Sequence, residues 1–99
     1  MAVVTTFTLC EITNPHENFR KYVGLSADLM KKYGGKYLVR GKPQDGADEP
    51  FVGKFLIGIE FPSEEAAAGF AKEYEEGGLR ALRDGSGTYQ HAVFDAPVQ

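Results

Sequence analysis

Two histidines, His16 and His91, and a single cysteine, Cys10, are the side chains of this 99-residue sequence best suited to exchange a proton or attack a substrate near neutral pH. Neither histidine belongs to a His-x-His or His-Glu-x-x-His pattern. A metal site would have to gather ligands from distant parts of the chain, so no metal is expected. His91 shares one parity of an alternating stretch with Tyr89 and Val93. If that parity faces a pocket, the imidazole can serve as general acid or base; otherwise it is a structural histidine, bonded or exposed. His16 opens a helical pattern and reads as exposed. Cys10 has no partner for an intrachain disulfide and no Cys-x-x-Cys motif, and a thiol on a buried strand is expected to be inert.

Two arginines complete the candidates. Arg40 closes a short strand-like stretch beside Gly41, where its guanidinium fork can hold a substrate carboxylate. The equally simple reading is an edge-strand charge that discourages aggregation. Arg83 is a further ligand-binding candidate. Tyr22, Tyr33 and Tyr74 fall on helical apolar stripes and read as core. No Ser-His-Asp order, glycine-rich phosphate loop or dinucleotide fingerprint is present, and no tightly held cofactor is expected.

These groups need elements to position them. Residues 3–12 are rich in β-branched and aromatic side chains and predict a strand. Asn14 and Pro15 then read as the cap and first turn of a helix, since proline lacks an N–H that would be unpaired there anyway. Apolar positions from Phe19 through Tyr22, Val23, Leu29, Met30 and Tyr33 follow helical spacing until Gly34-Gly35. Tyr37, Leu38 and Val39 predict a short second strand, and residues 42–50, with two prolines, a loop. Residues 51–61 carry Phe55, Ile57, Ile59 and Phe61 on one parity and predict the third strand. Ser63 caps a second helix with Glu64 and Glu65 in its first turn, where the helix dipole favours negative charge. Its stripe is Ala66, Ala67, Phe70, Ala71 and Tyr74. Gly77-Gly78 interrupts it, Leu79, Leu82 and Arg83 predict one more short helical turn, and residues 88–95 a last strand before Pro97.

The predicted order is βαββαβ in one α+β domain spanning residues 1–99, with its core over about 3–95. This is the ferredoxin-like arrangement, a four-stranded antiparallel sheet with helices on one face. Glu60, near the far end of the third strand, is not expected to reach Arg40. The other sheet face is apolar for a solvated one: strand three still offers Leu56 on its second parity, and strand one is apolar on both, with Phe7 and Leu9 on one and Val4, Cys10 and Ile12 on the other. Association of two such faces about a two-fold axis is the expected remedy, giving a homodimer through the sheet.

Composition closes off other classes. Net charge −3 with scattered Lys and Arg offers no footprint for phosphate backbones, so nucleic acid is not an expected partner. The start of the chain lacks a secretory pattern, no segment approaches the roughly 20 apolar residues needed to cross a bilayer, and the lone cysteine suits a reducing compartment. A cytoplasmic location is expected, with no membrane partner.

The run Tyr33-Gly34-Gly35-Lys36-Tyr37-Leu38-Val39-Arg40-Gly41, followed by Ile59-Glu60-Phe61-Pro62-Ser63 and the pair Ala66-Ala67, resembles the DUF1330 family of the dimeric α+β barrel superfamily. Leu79, Leu82 and Arg83 keep the family's spacing from that alanine pair, and Arg40 falls on a family position. The sequence departs at Asn14-Pro15, where Asp-Pro is usual, and at Glu73-Tyr74-Glu75-Glu76, where a Ser-Pro-Glu-Tyr segment is common. The resemblance implies the same fold and a dimer. Superfamily relatives include monooxygenases and lactone isomerases. By analogy the first expectation is a cofactor-independent enzyme acting on a small organic molecule, in a cavity between sheet and helices lined by Arg40, His91 and Arg83. The second is a non-catalytic ligand-binding or scaffold module.

Overall fold

The structure, a computed structural model, describes residues 3–95. Its elements are β1 (Val4–Ile12), α1 (Glu17–Lys32), β2 (Lys36–Gly41), β3 (Phe55–Phe61), α2 (Glu64–Glu76), α3 (Leu79–Arg83) and β4 (Gly87–Phe94). The strands form one antiparallel sheet in the order β2-β3-β1-β4. The βαββαβ order and the ferredoxin-like fold are therefore as expected, with α3 as the short turn after the double glycine. Pro97 lies outside the described residues.

Two boundaries differ from expectation. α1 is capped by His16, not Asn14: the His16 ring accepts the Phe19 N–H at 3.0 Å. Asn14 is diverted elsewhere, since its backbone N–H donates to the Ser86 carbonyl at 2.9 Å and its side-chain amide to the Gly85 carbonyl at 3.4 Å. The third strand starts at Phe55 instead of residue 51. Phe51 accepts the Lys54 N–H at 3.0 Å and Gly53 adopts φ 73°, a tight turn that the apolar pair Phe51-Val52 conceals from a reading of hydrophobicity. Ser63 caps α2 as expected, accepting the Ala66 N–H at 3.1 Å.

Strand register assigns the two faces. Val4, Thr6, Thr8 and Cys10 lie opposite Phe61, Ile59, Ile57 and Phe55, and β4 adds Val93, His91 and Tyr89 to the same side. Phe61 stacks near Phe70 of α2 with ring centroids 5.1 Å apart, so this is the helix-covered face. Gly35 lets the chain leave α1 close to the sheet, where a Cβ would press on Met30 and Phe61. Only Val4, Cys10, Met30, Phe61 and Leu79 are buried apolar side chains among the described residues.

The opposite, open face carries Phe7 and Leu9 of β1, Leu56 of β3, Val39 of β2 and Phe94 of β4. Phe7 and Phe94 meet edge to face at 5.5 Å, and Phe94 remains 51% exposed. Gly58 has no side chain to hold apart Phe7 and Val39, which close over it. No helix among the described residues covers this greasy patch. Among the described residues, no helix is long and apolar enough to cross a membrane.

Candidate functional site

The interruption of the helix at Gly77-Gly78 determines where Arg83 goes. Gly78 takes φ 70°, a conformation that costs glycine little, and redirects the backbone so that α3 packs against α1 and α2 with Leu79 buried as its anchor. Of the two arginines on this short helix, Arg80 turns outward and pairs with Glu75. Arg83 turns inward, half-buried. Its guanidinium carbon lies 4.1 Å from the centroid of the Tyr89 ring and 5.8 Å from that of Tyr74. Among the described residues it makes no side-chain hydrogen bond and faces no carboxylate within ion-pair distance.

The loop after α3 is held firmly. Thr13 and Asn14 both donate backbone N–H groups to the Ser86 carbonyl, at 2.8 and 2.9 Å. The His16 ring bonds the Asp84 carbonyl at 2.8 Å through Nε2. Since Nδ1 of the same ring accepts from Phe19, Nε2 is the donor to Asp84, and one imidazole ties the α1 N-terminus to this loop. Ser86 is fully buried. Its hydroxyl has one proton, donated to the Arg83 carbonyl, so the Tyr89 hydroxyl donates to Ser86 Oγ at 2.6 Å. The ring beneath Arg83 is therefore fixed from its far end.

Two further hydroxyls close the aromatic wall. Tyr74 donates to Tyr22 at 2.9 Å, their rings meeting edge to face at 5.9 Å. Burial, then the bond to Tyr22, pushes the Tyr74 hydroxyl well above its ordinary value, so it stays a neutral donor. Tyr74 belongs to the segment that departs from the family pattern. Its flanking acids are engaged outward, Glu73 with Lys32 and Tyr33, Glu75 with Arg80.

His91 stands one residue pair along the strand from Tyr89, on the same face. Its Nδ1 is 2.9 Å from Thr8 Oγ1, and Nε2 has no partner among the described residues. Partial burial comes first, followed by the positive charges of Arg83 and Arg80, in pushing its proton affinity below that of an ordinary histidine. The residue is exposed on the outer strand of the sheet, and Nε2 is a basic nitrogen when Nδ1 donates to Thr8. Cys10, 3% exposed, donates its thiol to the Phe55 carbonyl at 3.3 Å, and burial raises its affinity for the proton against the opposing charge of Arg83. As a nucleophile it is quenched.

The low proton affinity of His91 has a sign for stability. Because the unfolded chain binds that proton more readily, stability is greatest above the ordinary histidine value of 6.5 and is lost as pH falls through it towards the folded value. Melting curves between about pH 8 and about pH 5 should show that decline in the parent protein and a shallower one in His91→Asn. Identical curves for the two would contradict the assignment.

Of the three site residues expected from sequence, the structure brings together His91 and Arg83. Arg40 is not brought to them. It lies in the same cross-strand row, Arg40–Ile57–Thr8–His91, but at the other end, three strand spacings or about 14 Å away. There its guanidinium lies 5.2 Å from the ring of Tyr37. No ion pair links it to Glu60, whose cross-strand partner is Lys36. Two concavities lie apart from the cluster. One of about 100 Å³ opens on the uncovered face between Leu9, Val39, Phe51 and Leu56, and one of about 270 Å³ lies at the strand ends by Cys10, Ile12, Lys42 and Phe55. Among the described residues no three His, Cys, Asp or Glu side chains converge as a metal site would require.

Sequence reasoning missed Ser86, Tyr89, Thr8 and the Tyr22–Tyr74 pair. Only Tyr89 left a signal, its parity with His91; the others depend on register and on helix packing.

The family model described as Domain of unknown function (DUF1330) matches residues 6–96. The chain belongs to the DUF1330 family. No functionally curated protein matches it in sequence. Among solved structures, the DUF1330 chain is similar to a protein of unknown function from Rhodopseudomonas palustris, with TM-score 0.71 and 15% identity over 99% of this chain and 84% of that one. It also resembles SnoaB, a cofactor-independent oxygenase from Streptomyces nogalater, with TM-score 0.66 and 10% identity over 100% of this chain and 97% of that one. A dimeric ferredoxin-like protein from an uncultured marine organism matches with TM-score 0.61 and 11% identity, covering 100% and 99%. At these identities what is shared is the fold. The match agrees with the DUF1330 residues quoted above, from Tyr33-Gly34-Gly35 through Ala66-Ala67, which build the turn into β2, the end of β3 and the first turn of α2.

Proposed function

We propose that this chain is a cofactor-independent enzyme that moves a proton on a small organic molecule held against the helix-facing side of β4, with His91 as the base and Arg83 as the holder of negative charge. The observation that carries the reading is the pairing, on one face of the sheet, of a half-buried guanidinium without a carboxylate and an imidazole whose Nε2 has no partner among the described residues. Removing a proton from carbon beside a carbonyl leaves an enolate, and a positive charge beside the oxygen stabilises it as it forms. If the proton returns to another carbon, the result is isomerisation. If the enolate instead gives electrons to dioxygen, the result is oxygenation, the class named for the Streptomyces neighbour.

Separate His91→Ala and Arg83→Ala variants test this against a panel of enolisable compounds, with and without dioxygen. An activity found in the parent protein should lose about 10²- to 10⁴-fold in kcat with His91→Ala. An activity that both variants leave untouched sinks the proposal. The rival reading is a binding module without turnover. It predicts ligand binding with no exchange of substrate protons into deuterated solvent.

We infer also that a second copy of the chain covers the open sheet face, where Phe7, Leu9, Val39, Leu56 and Phe94 otherwise meet water. The dimeric ferredoxin-like neighbour supports this through its shared fold. Arg40, at the β2 edge, stays outside the catalytic proposal.

A further inference from the structure

Resting on the proposed site, we infer that the ligand of Arg83 is a planar, conjugated monocarboxylate, aromatic or α,β-unsaturated, and not a phosphate or a dicarboxylate. The five N–H donors of a guanidinium lie in its plane, whereas its faces are available to aromatic rings. In this structure the guanidinium carbon lies over the Tyr89 ring at 4.1 Å from its centroid, a separation that suits face-to-face stacking, and none of the donors is used by a described residue. What remains is an in-plane fork with no acceptor. A carboxylate meets such a fork with two parallel hydrogen bonds and lies in the same plane.

That geometry extends to whatever the carboxylate carries. A ring or double bond conjugated with it stays coplanar and continues the guanidinium plane along the tyrosine wall, while a saturated ring bends out of it. Tetrahedral phosphate shares only part of that plane. Charge sets the count. Arg80, one turn away, is already neutralised by Glu75, leaving one uncompensated cation on α3 for one negative charge. The hydroxyls nearby do not compete as anions, since Tyr74 is held neutral by burial and Tyr89 spends its proton on Ser86.

The probes are trans-cinnamate, cyclohexanecarboxylate, phenyl phosphate and uncharged cinnamamide, measured by calorimetry and thermal shift on the full chain. Cinnamate should bind at least about tenfold more tightly than each of the others. Arg83→Gln should lose at least about tenfold in cinnamate affinity and Arg83→Lys should fail to restore it, because an ammonium has no fork. Arg80→Gln, checked for folding alongside, should bind as the parent does. Phenyl phosphate binding as tightly as cinnamate, undiminished binding in Arg83→Gln, or no binding of any probe overturns the inference. Arg83-dependent cinnamate binding without turnover of any compound leaves it standing and sinks the catalytic proposal; His91-dependent turnover of an uncharged compound with no carboxylate binding does the reverse.

Discussion

An aspartate in place of Phe7 should abolish the proposed pairing through the open sheet face and leave a folded monomer. Phe7 sits on β1, in the interior of the sheet, on the face no helix covers, with its ring against Phe94 and over Gly58. Against a second sheet, an isolated carboxylate here would lose its water and gain no cation, at a cost of several kcal/mol that the two-fold axis imposes on both protomers. The dimer dissociation constant should rise at least about a thousandfold. Folding survives because the helix-facing core of Val4, Cys10, Met30, Phe61 and Leu79 is on the other side. Sedimentation at micromolar concentration, with circular dichroism as the folding control, reads the result. A parent protein that sediments only as monomer, or a variant that still dimerises, removes the second copy from the open face.

Substituting Gly87 by alanine should produce the largest loss of stability from the smallest change. Gly87 starts β4 opposite Ile12, and a Cβ there would run into the Glu11 carbonyl oxygen, with the Glu11 carbonyl carbon and the Ile12 Cα each 2.9 Å away. All three neighbours are backbone of a paired strand, so none can swing aside as a flexible side chain would. Overpacking of this kind costs about 1–3 kcal/mol, and a rigid obstacle puts this case at the upper end or beyond. At about 4–8 °C of melting temperature per kcal/mol in a domain of this size, the shift is easily measured. The strain would also fall next to Ser86, loosening the bond that fixes Tyr89 beneath Arg83. Gly41→Ala is the control, since nothing lies within 4 Å of the Cβ it would add. Equal melting temperatures for the two variants would refute the steric argument.

The signals legible in the sequence were local ones. Alternation in Phe55, Ile57, Ile59 and Phe61 identified a strand and its buried face, and Ser63 with Glu64 and Glu65 identified a helix start, because each depends on residues a few positions apart. Asn14 was misread as a cap because Asn and His both carry suitable acceptors. Only the loop from Asp84 to Ser86, some 70 residues downstream, recruits Asn14 to its own carbonyls and leaves the cap to His16. Phe51 and Val52 looked like strand because hydrophobicity does not record that Gly53 turns the chain.

The same division governs the candidate site. Residue types marked His91, Arg83 and Arg40 as groups able to do chemistry, but the expectation that they share one cavity fails for Arg40, because the strand order β2-β3-β1-β4 puts its strand and that of His91 at opposite edges of the sheet. Composition and periodicity determined the fold, a helix-covered face and an apolar face left over, since these follow from which side chains water rejects. Tertiary structure decided which of two neighbouring arginines is neutralised and which is left with an unused fork, and which hydroxyl holds the imidazole of His91. Those choices depend on ångström distances between strands and helices far apart in the chain, and a linear pattern does not encode such distances.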